Sequence, residues 1–193
     1  IRICLVGSEM CIRDRIKPAL QLSSEKNVSS YFFLADLHAI IKQTNPNEIK
    51  VSVNEVALAW LSSGLDPEKS FFYRQSNIPE ITELAWILSC VTAKGLINRS
   101  HAYKAAVQLN HDHTKDEDKG ISMGLFSYPV LMAADILMFN SSHVPVGKDQ
   151  LQHLEITRDI AEKFNHQYGN TFVIPEAIIN KDGKLLVGHD GRK

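Results

Sequence analysis

The sequence predicts an α/β protein with a parallel sheet, and three observations carry that expectation. Short apolar runs of strand length recur at Tyr31–Asp36, Phe71–Tyr73 and Val144–Val146. The first of them, Tyr31-Phe-Phe-Leu-Ala-Asp36, has no polar alternation, the pattern of a strand covered on both faces. Between the runs lie longer stretches with helical spacing, and strands alternating with helices build parallel sheets.

Along the chain, Ile1 to Val6 reads either as a short strand or as part of a surface segment. Ser8 to Arg15 shows neither a helical stripe nor alternation. Val53, Val56, Ala57, Trp60 and Leu61 share one face of a helix from Val51 to Ser63, and Gly64 suits its C-terminal end. Ile81, Leu84, Ala85 and Leu88 mark a helix after Pro79. Residues 91–120 look less regular, and His111 to Gly120 reads as a polar, charged loop. Val144–Val146 leads through Gly147 into a helix from about Asp149 to Asn165.

Composition narrows the classes. The length of 193 residues suits one domain, or one domain with an insertion. A net charge of −1 gives no general attraction to nucleic acid or membrane, and no apolar run reaches spanning length. Cys4, Cys11 and Cys90 have neither disulfide-framework nor zinc spacing, which favours a reducing, cytoplasmic setting. His111 and His113 have no second ligand cluster nearby, so a solvated loop outweighs a metal site there.

The most informative residue is Asp135. Its neighbours from Val130 to Phe139 are all apolar, so its helix should be hydrophobic nearly all round and buried. An ionised carboxylate persists in such a place only with a donor. One reading supplies an Arg or a backbone N–H; the other supplies a ligand with one donor on an apolar body. An indole, whose N–H only donates, fits the second reading. Met132 and Tyr128, three and seven residues earlier, lie on the same side of the helix.

Ligands of open parallel sheets bind beyond the carboxyl ends of the strands. His38 follows the Tyr31–Asp36 strand, and Gly147-Lys-Asp-Gln150 forms the next strand-to-helix turn. Gly147 allows close backbone approach, and a helix start presents unpaired N–H groups to a phosphate or ribose. Asp149 is read first as the helix N-cap. Gln150, His153 and Thr157 share a face with Leu154; His153 taken alone reads as a satisfied histidine rather than a ligand.

Four segments in order resemble one family: Tyr31-Phe-Phe-Leu-Ala-Asp-Leu-His-Ala-Ile40, Phe72-Tyr-Arg-Gln-Ser76, Leu125 to Leu137, and Val144-Pro-Val-Gly-Lys-Asp-Gln150 continuing to Ile160. They resemble bacterial-type tryptophanyl-tRNA synthetase, a class I aminoacyl-tRNA synthetase, from about Ile16 to Lys193. The resemblance implies a Rossmann-like catalytic domain with a helical, dimerising insertion at about 75–125, and an ATP-dependent tryptophan–tRNA ligase. Its substrates would be L-tryptophan, ATP with Mg²⁺, and tRNA(Trp); the intact protein would be a homodimer with no resident metal.

By position, Asp135 would accept the indole N–H, and Tyr128 and Gln150 would hold the α-amino group. Met132, His38, Val144 and Val146 would line the indole pocket. Gly147, Lys148 and Asp149 would contact ATP, Lys148 through its backbone. Lys193 would be the first lysine of a Lys-Met-Ser-Lys-Ser loop that also touches ATP; no catalytic nucleophile is implied.

Ile1 to Arg15 does not resemble the family and is expected to be an artefactual segment in place of the His-Ile-Gly-His-like turn. The anticodon-binding domain lies outside the sequence. These 193 residues are therefore expected to bind tryptophan at best and to form little adenylate. The rival readings are a tyrosyl-tRNA synthetase, which shares the Gly-x-Asp-Gln turn, and a non-catalytic amino-acid-binding module.

Overall fold

The computed structural model describes residues 2–5, 16–113, 116–147 and 150–179. Its centre is a five-stranded, all-parallel sheet made of β1 (Arg2–Leu5), β2 (Ser29–Leu34), β3 (Phe71–Arg74), β4 (His143–Val146) and β5 (Glu176–Ile179). The spatial order is β3-β2-β1-β4-β5, so the chain reverses its direction of travel between β1 and β4. This is a doubly wound arrangement, with its ligand crevice expected at that switch point. Arg2–Leu5 pairs with β2 on one side and with β4 on the other, so the surface-segment reading does not hold for these four residues.

Two apolar layers cover the sheet, and consecutive residues of β2 serve opposite ones. Phe32 packs with Ile16, Ala19 of α1 (Lys17–Ser23), Trp60 of α3 (Pro46–Ser62) and Leu65. Phe33 faces the other way, onto Val144, Val146, Met132 and Ile136 of α7 (Met123–Leu137), and Leu154 of α8 (Leu151–Tyr168). That double covering is why Tyr31 to Leu34 shows no alternation.

Helix α7 has a second partner layer. Its Val130, Ala133, Ala134 and Leu137 pack against Ile81 and Leu88 of α4 (Glu80–Val91), Ile97 of α5 (Lys94–Ile97), and Ile156, Ile160 and Ala161 of α8. A helix with the sheet on one side and helices on the other must be apolar nearly all round. Only Leu131 is not fully buried between Pro129 and Leu137.

The chain between β2 and β3 begins with the short helix α2 (Asp36–Ala39). Asp36 therefore opens a helix rather than closing the strand, which ends at Leu34. Helix α3 starts earlier than its apolar stripe, because Asn45 caps it by accepting from the Asn47 N–H at 3.0 Å, with Pro46 in the first turn. At its other end Gly64, at φ +102°, closes a Schellman motif. The Leu65 N–H bonds Trp60 O, and the Gly64 N–H bonds Leu61 O.

Residues 91–120 are more regular than the sequence suggests. They contain α5 and a twelve-residue helix, α6 (His101–Asp112). Its inward anchors, Tyr103 and Asn110, are polar, so no apolar stripe announces it. Tyr103 donates to Asp118 at 2.9 Å, and Asn110 donates to Glu117 O and Lys119 O at 2.8 and 2.9 Å. These bonds hold the turn at 116–120 that the sequence presents as a solvated loop. Strand β5 was not legible in the sequence; its burial is slight, and β4 supplies its pairing.

Candidate functional site

The parallel register brings the ends of β2 and β3 level: Leu34 pairs with Arg74. The two chain segments that leave them, Asp36-Leu-His38 and Arg74-Gln-Ser76, lie side by side and are stitched together by polar bonds. Asp36 accepts from the Ser76 N–H at 3.0 Å and forms an ion pair with the Arg74 Nε. In return the Leu37 N–H donates to Gln75 Oε1 at 3.2 Å. Burial alone would raise the Asp36 carboxyl, but the Ser76 and Arg74 bonds outweigh it and hold the group below the usual carboxylate range.

This strap presents two side chains to Asp135. Gln75 Nε2 donates to both carboxylate oxygens, at 2.8 and 2.9 Å, and His38 Nε2 lies 2.9 Å from Oδ2. Asp135 and Gln75 are both 0% exposed. A neutral amide and an imidazole thus both reach the buried carboxylate. Burial pushes the Asp135 carboxyl up, and the bonds from His38 and Gln75 bring it only part of the way back.

The apolar wall stands beside it. Met132 is one turn before Asp135 on α7, and it packs with Phe33, Val144 and Val146 under the sheet's carboxyl edge. On the other side of His38 stands Tyr128, with the two rings edge-on at 6.3 Å. The Tyr128 hydroxyl lies 2.9 Å from His153 Nε2. Burial pushes its phenol up to about 12, so it keeps its proton at neutral pH. His153, Leu154 and Thr157 form the buried face of α8, with Thr157 donating to His153 O at 2.9 Å. His153 is thus satisfied within the protein, as a lone histidine on that face should be.

The sequence-selected residues divide into three sets. His38, Asp135, Tyr128 and Met132 converge, with Val144 and Val146 in the same wall. Gly147 and Gln150 sit at the carboxyl end of β4, where Gln150 is half-buried and occupies the N-cap position of α8. Helix α8 starts at Leu151. Lys148, Asp149 and Lys193 lie outside the described residues.

Two residues that hold the site were missed, Gln75 and Asp36. Both stand inside segments that the sequence singled out, and each is a polar residue within two positions of a strand's carboxyl end. That was the available signal, and a helix or strand pattern alone does not weigh it. Among the described residues, no group of three or more His, Cys, Asp or Glu side chains is placed to hold a metal ion. No helix among them is long and apolar enough to cross a membrane.

Comparison with known proteins gives the arrangement its relatives. The family model described as tRNA synthetases class I (W and Y) matches residues 15–193. A tryptophan–tRNA ligase of Bordetella pertussis is 58% identical over 179 residues, covering 92% of this chain and 40% of the relative. One of Pseudomonas putida is 56% identical over 181 residues, with the same coverage of 92% and 40%. The chain therefore spans less than half the length of these relatives.

Among solved structures, tryptophanyl-tRNA synthetase from Campylobacter jejuni complexed with ADP and tryptophan superposes with a TM-score of 0.86. It is 41% identical, and the match covers 100% of this chain and 59% of that one. Tyrosyl-tRNA synthetase from Archaeoglobus fulgidus matches with a TM-score of 0.68 at 15% identity, a likeness of fold alone.

Proposed function

The chain belongs to the class I tRNA synthetases of the tryptophan and tyrosine family, and from that premise we propose that it carries the tryptophan-binding half of a tryptophan–tRNA ligase. The observation that carries the reading is Asp135, a fully buried carboxylate met by a neutral amide and an imidazole beside an apolar wall. An indole N–H brings a donor that such a carboxylate favours, on a body that suits Met132, Val144 and Val146. Identity of 56–58% to tryptophan–tRNA ligases, against 15% to a tyrosyl enzyme, supports tryptophan over tyrosine.

In this reading Tyr128 donates its proton to His153 and accepts from the ligand's ammonium group, with Gln150 as a second acceptor. His38 closes the indole side of the pocket while it holds Asp135. Gly147 lets the adenosine part of ATP approach the backbone at the start of α8, with Lys148, Asp149 and Lys193 as further contacts. Mg²⁺ arrives with ATP as part of the substrate.

The chemistry needs no protein nucleophile. The tryptophan carboxylate attacks the α-phosphorus of ATP, the bond to pyrophosphate breaks, and tryptophanyl-adenylate forms. A hydroxyl at the tRNA 3′ end then takes the aminoacyl group and releases AMP. Catalysis of such a transfer rests on positioning and charge stabilisation. The intact protein is read as a homodimer, with Trp86 of α4 and Leu109 of α6, 72% and 60% exposed, in support.

Calorimetric titration of the chain with tryptophan and with tyrosine tests the reading. Tryptophan should bind and tyrosine should not. Asp135→Asn should weaken tryptophan binding roughly 100-fold, the scale of ~2–3 kcal/mol for a hydrogen bond to a charged group. Equal affinity for the two amino acids would sink the assignment.

A further inference from the structure

We propose that Gln152 is a positioning residue that ties the first turn of α8, and with it the amino-acid side of the site, to the backbone between α5 and α6. The inference rests on the tryptophan reading and adds to it a residue that acts through its neighbours on α8.

The Gln152 amide has one orientation that satisfies both of its partners. The His101 N–H can only donate, so it meets Oε1, at 3.0 Å. The Arg99 carbonyl can only accept, so it meets Nε2, at 2.9 Å. These two groups flank Ser100, whose backbone is extended at φ −62° and ψ 139°. An extended residue turns the carbonyl before it and the N–H after it to the same side, as along the edge of a strand. The Gln152 side chain therefore pairs with 99–101 as a neighbouring strand's peptide group would.

That pairing also completes α6. Ser100 stands at its N-cap position, yet the Ser100 side chain makes no cap bond. The first N–H groups of a helix have no acceptor inside it. For His101 the acceptor comes from α8, 51 residues along the chain.

The residues that Gln152 holds in place lie on either side of it. Gln150 is at the N-cap position of α8 and half-buried. His153 is buried, with its Nε2 2.9 Å from the Tyr128 hydroxyl. A shift of this turn moves both against α7. The connector meets α8 again farther along, where Arg99 Nη2 lies 3.9 Å from Asp159 Oδ2 and both side chains are more than half exposed. Residues seven apart share one helix face, so the connector runs along α8 and touches it near the site and again remote from it. A ligand that steadies the near turn should also steady the start of α6, because such linkage is reciprocal.

Three variants of the full chain test this. Gln152→Leu removes both bonds. Gln152→Glu keeps an acceptor for the His101 N–H but sets a carboxylate oxygen against the Arg99 carbonyl. Asp159→Asn weakens the remote contact with the same connector and is the control. Tryptophan affinity is measured by calorimetry, and hydrogen exchange of the amides at 101–104 is followed with and without tryptophan. In the native chain tryptophan should slow that exchange. In Gln152→Leu the affinity should fall roughly 10-fold and the slowing should vanish. Gln152→Glu should lose affinity in the same direction, and Asp159→Asn should match the native chain in both readouts.

Unchanged affinity in both Gln152 variants overturns the inference. So does slowing that is absent from the native chain or kept in Gln152→Leu. An equal loss in Asp159→Asn overturns it as well, since a general loosening of the connector would give that result. Failure of both Gln152 variants to fold makes Gln152 a structural residue and overturns it too. If the native chain binds no tryptophan, the tryptophan reading fails first and this inference falls with it.

Discussion

Asp36 and Asp135 are both buried carboxylates, and both bond to the three-residue segment at the end of β3, yet their acidities move in opposite directions. Asp36 is met by the Arg74 guanidinium and the Ser76 N–H, and it ionises more readily than an ordinary aspartate. Asp135 is met by the Gln75 amide and the His38 ring, and burial still lifts its carboxyl. The difference lies in the chemistry of the donors and the depth of the site. A cation and a backbone N–H complete Asp36 as a clamp. Asp135 is met at full burial by an amide and an imidazole.

The largest expected contrast is in stability. Asp36→Ala leaves the Ser76 N–H unpaired and unlinks the two strand ends, so unfolding free energy should drop by roughly 2–4 kcal/mol. Asp135→Asn should cost less than about 1 kcal/mol, because removing the charge also removes its burial penalty. Urea unfolding of the two variants measures both, and a larger loss for Asp135→Asn would reverse the comparison.

A second contrast is in pH dependence. The raised carboxyl of Asp135 gives a contribution that is complete below the ordinary aspartate value of about 4 and is lost as pH rises through the folded-state value. The lowered carboxyl of Asp36 gives the opposite, a contribution present above about 4 and lost as pH falls through its folded-state value. Stability should therefore lose its gain on mild acidification in Asp135→Asn. In Asp36→Ala the part of the loss below pH about 4 that comes from this clamp should disappear. Thermal unfolding across a range of roughly pH 3–7 checks both limbs, and identical profiles for the two variants would remove the distinction.

The smallest effect should come from Arg74→Lys. The Arg74 side chain is 49% exposed, so solvent screens its charge, and the Ser76 N–H still holds Asp36. A loss of about 0.5 kcal/mol is expected, with tryptophan affinity nearly unchanged. A loss comparable to that of Asp36→Ala would place the clamp's strength in the guanidinium fork rather than in the backbone bond.

Much of this was legible in the order of residues. The unbroken run of β2, the C-terminal Gly64 of α3 and the all-round apolarity of α7 each reflect a local rule tied to burial. The place of His38 beyond a strand end, and of Met132 and Tyr128 on the Asp135 side of α7, followed from strand ends and helix spacing. Helix α6 was not legible because its inward residues are polar. Strand β5 was not legible because it buries little and depends on a partner strand across the whole of α8. Gln75 was visible as a letter in a motif, but its partners stand 38 and 60 residues distant.

The sequence by itself determined the parallel α/β architecture and the burial of Asp135. Periodicity and apolar content are properties of a segment, and burial follows from them. Tertiary structure alone decided which side chains meet that carboxylate. Hydrogen bonds depend on a few tenths of an ångström between residues that only the sheet register brings level. Here the register brought the Gln75 amide and the His38 ring to Asp135.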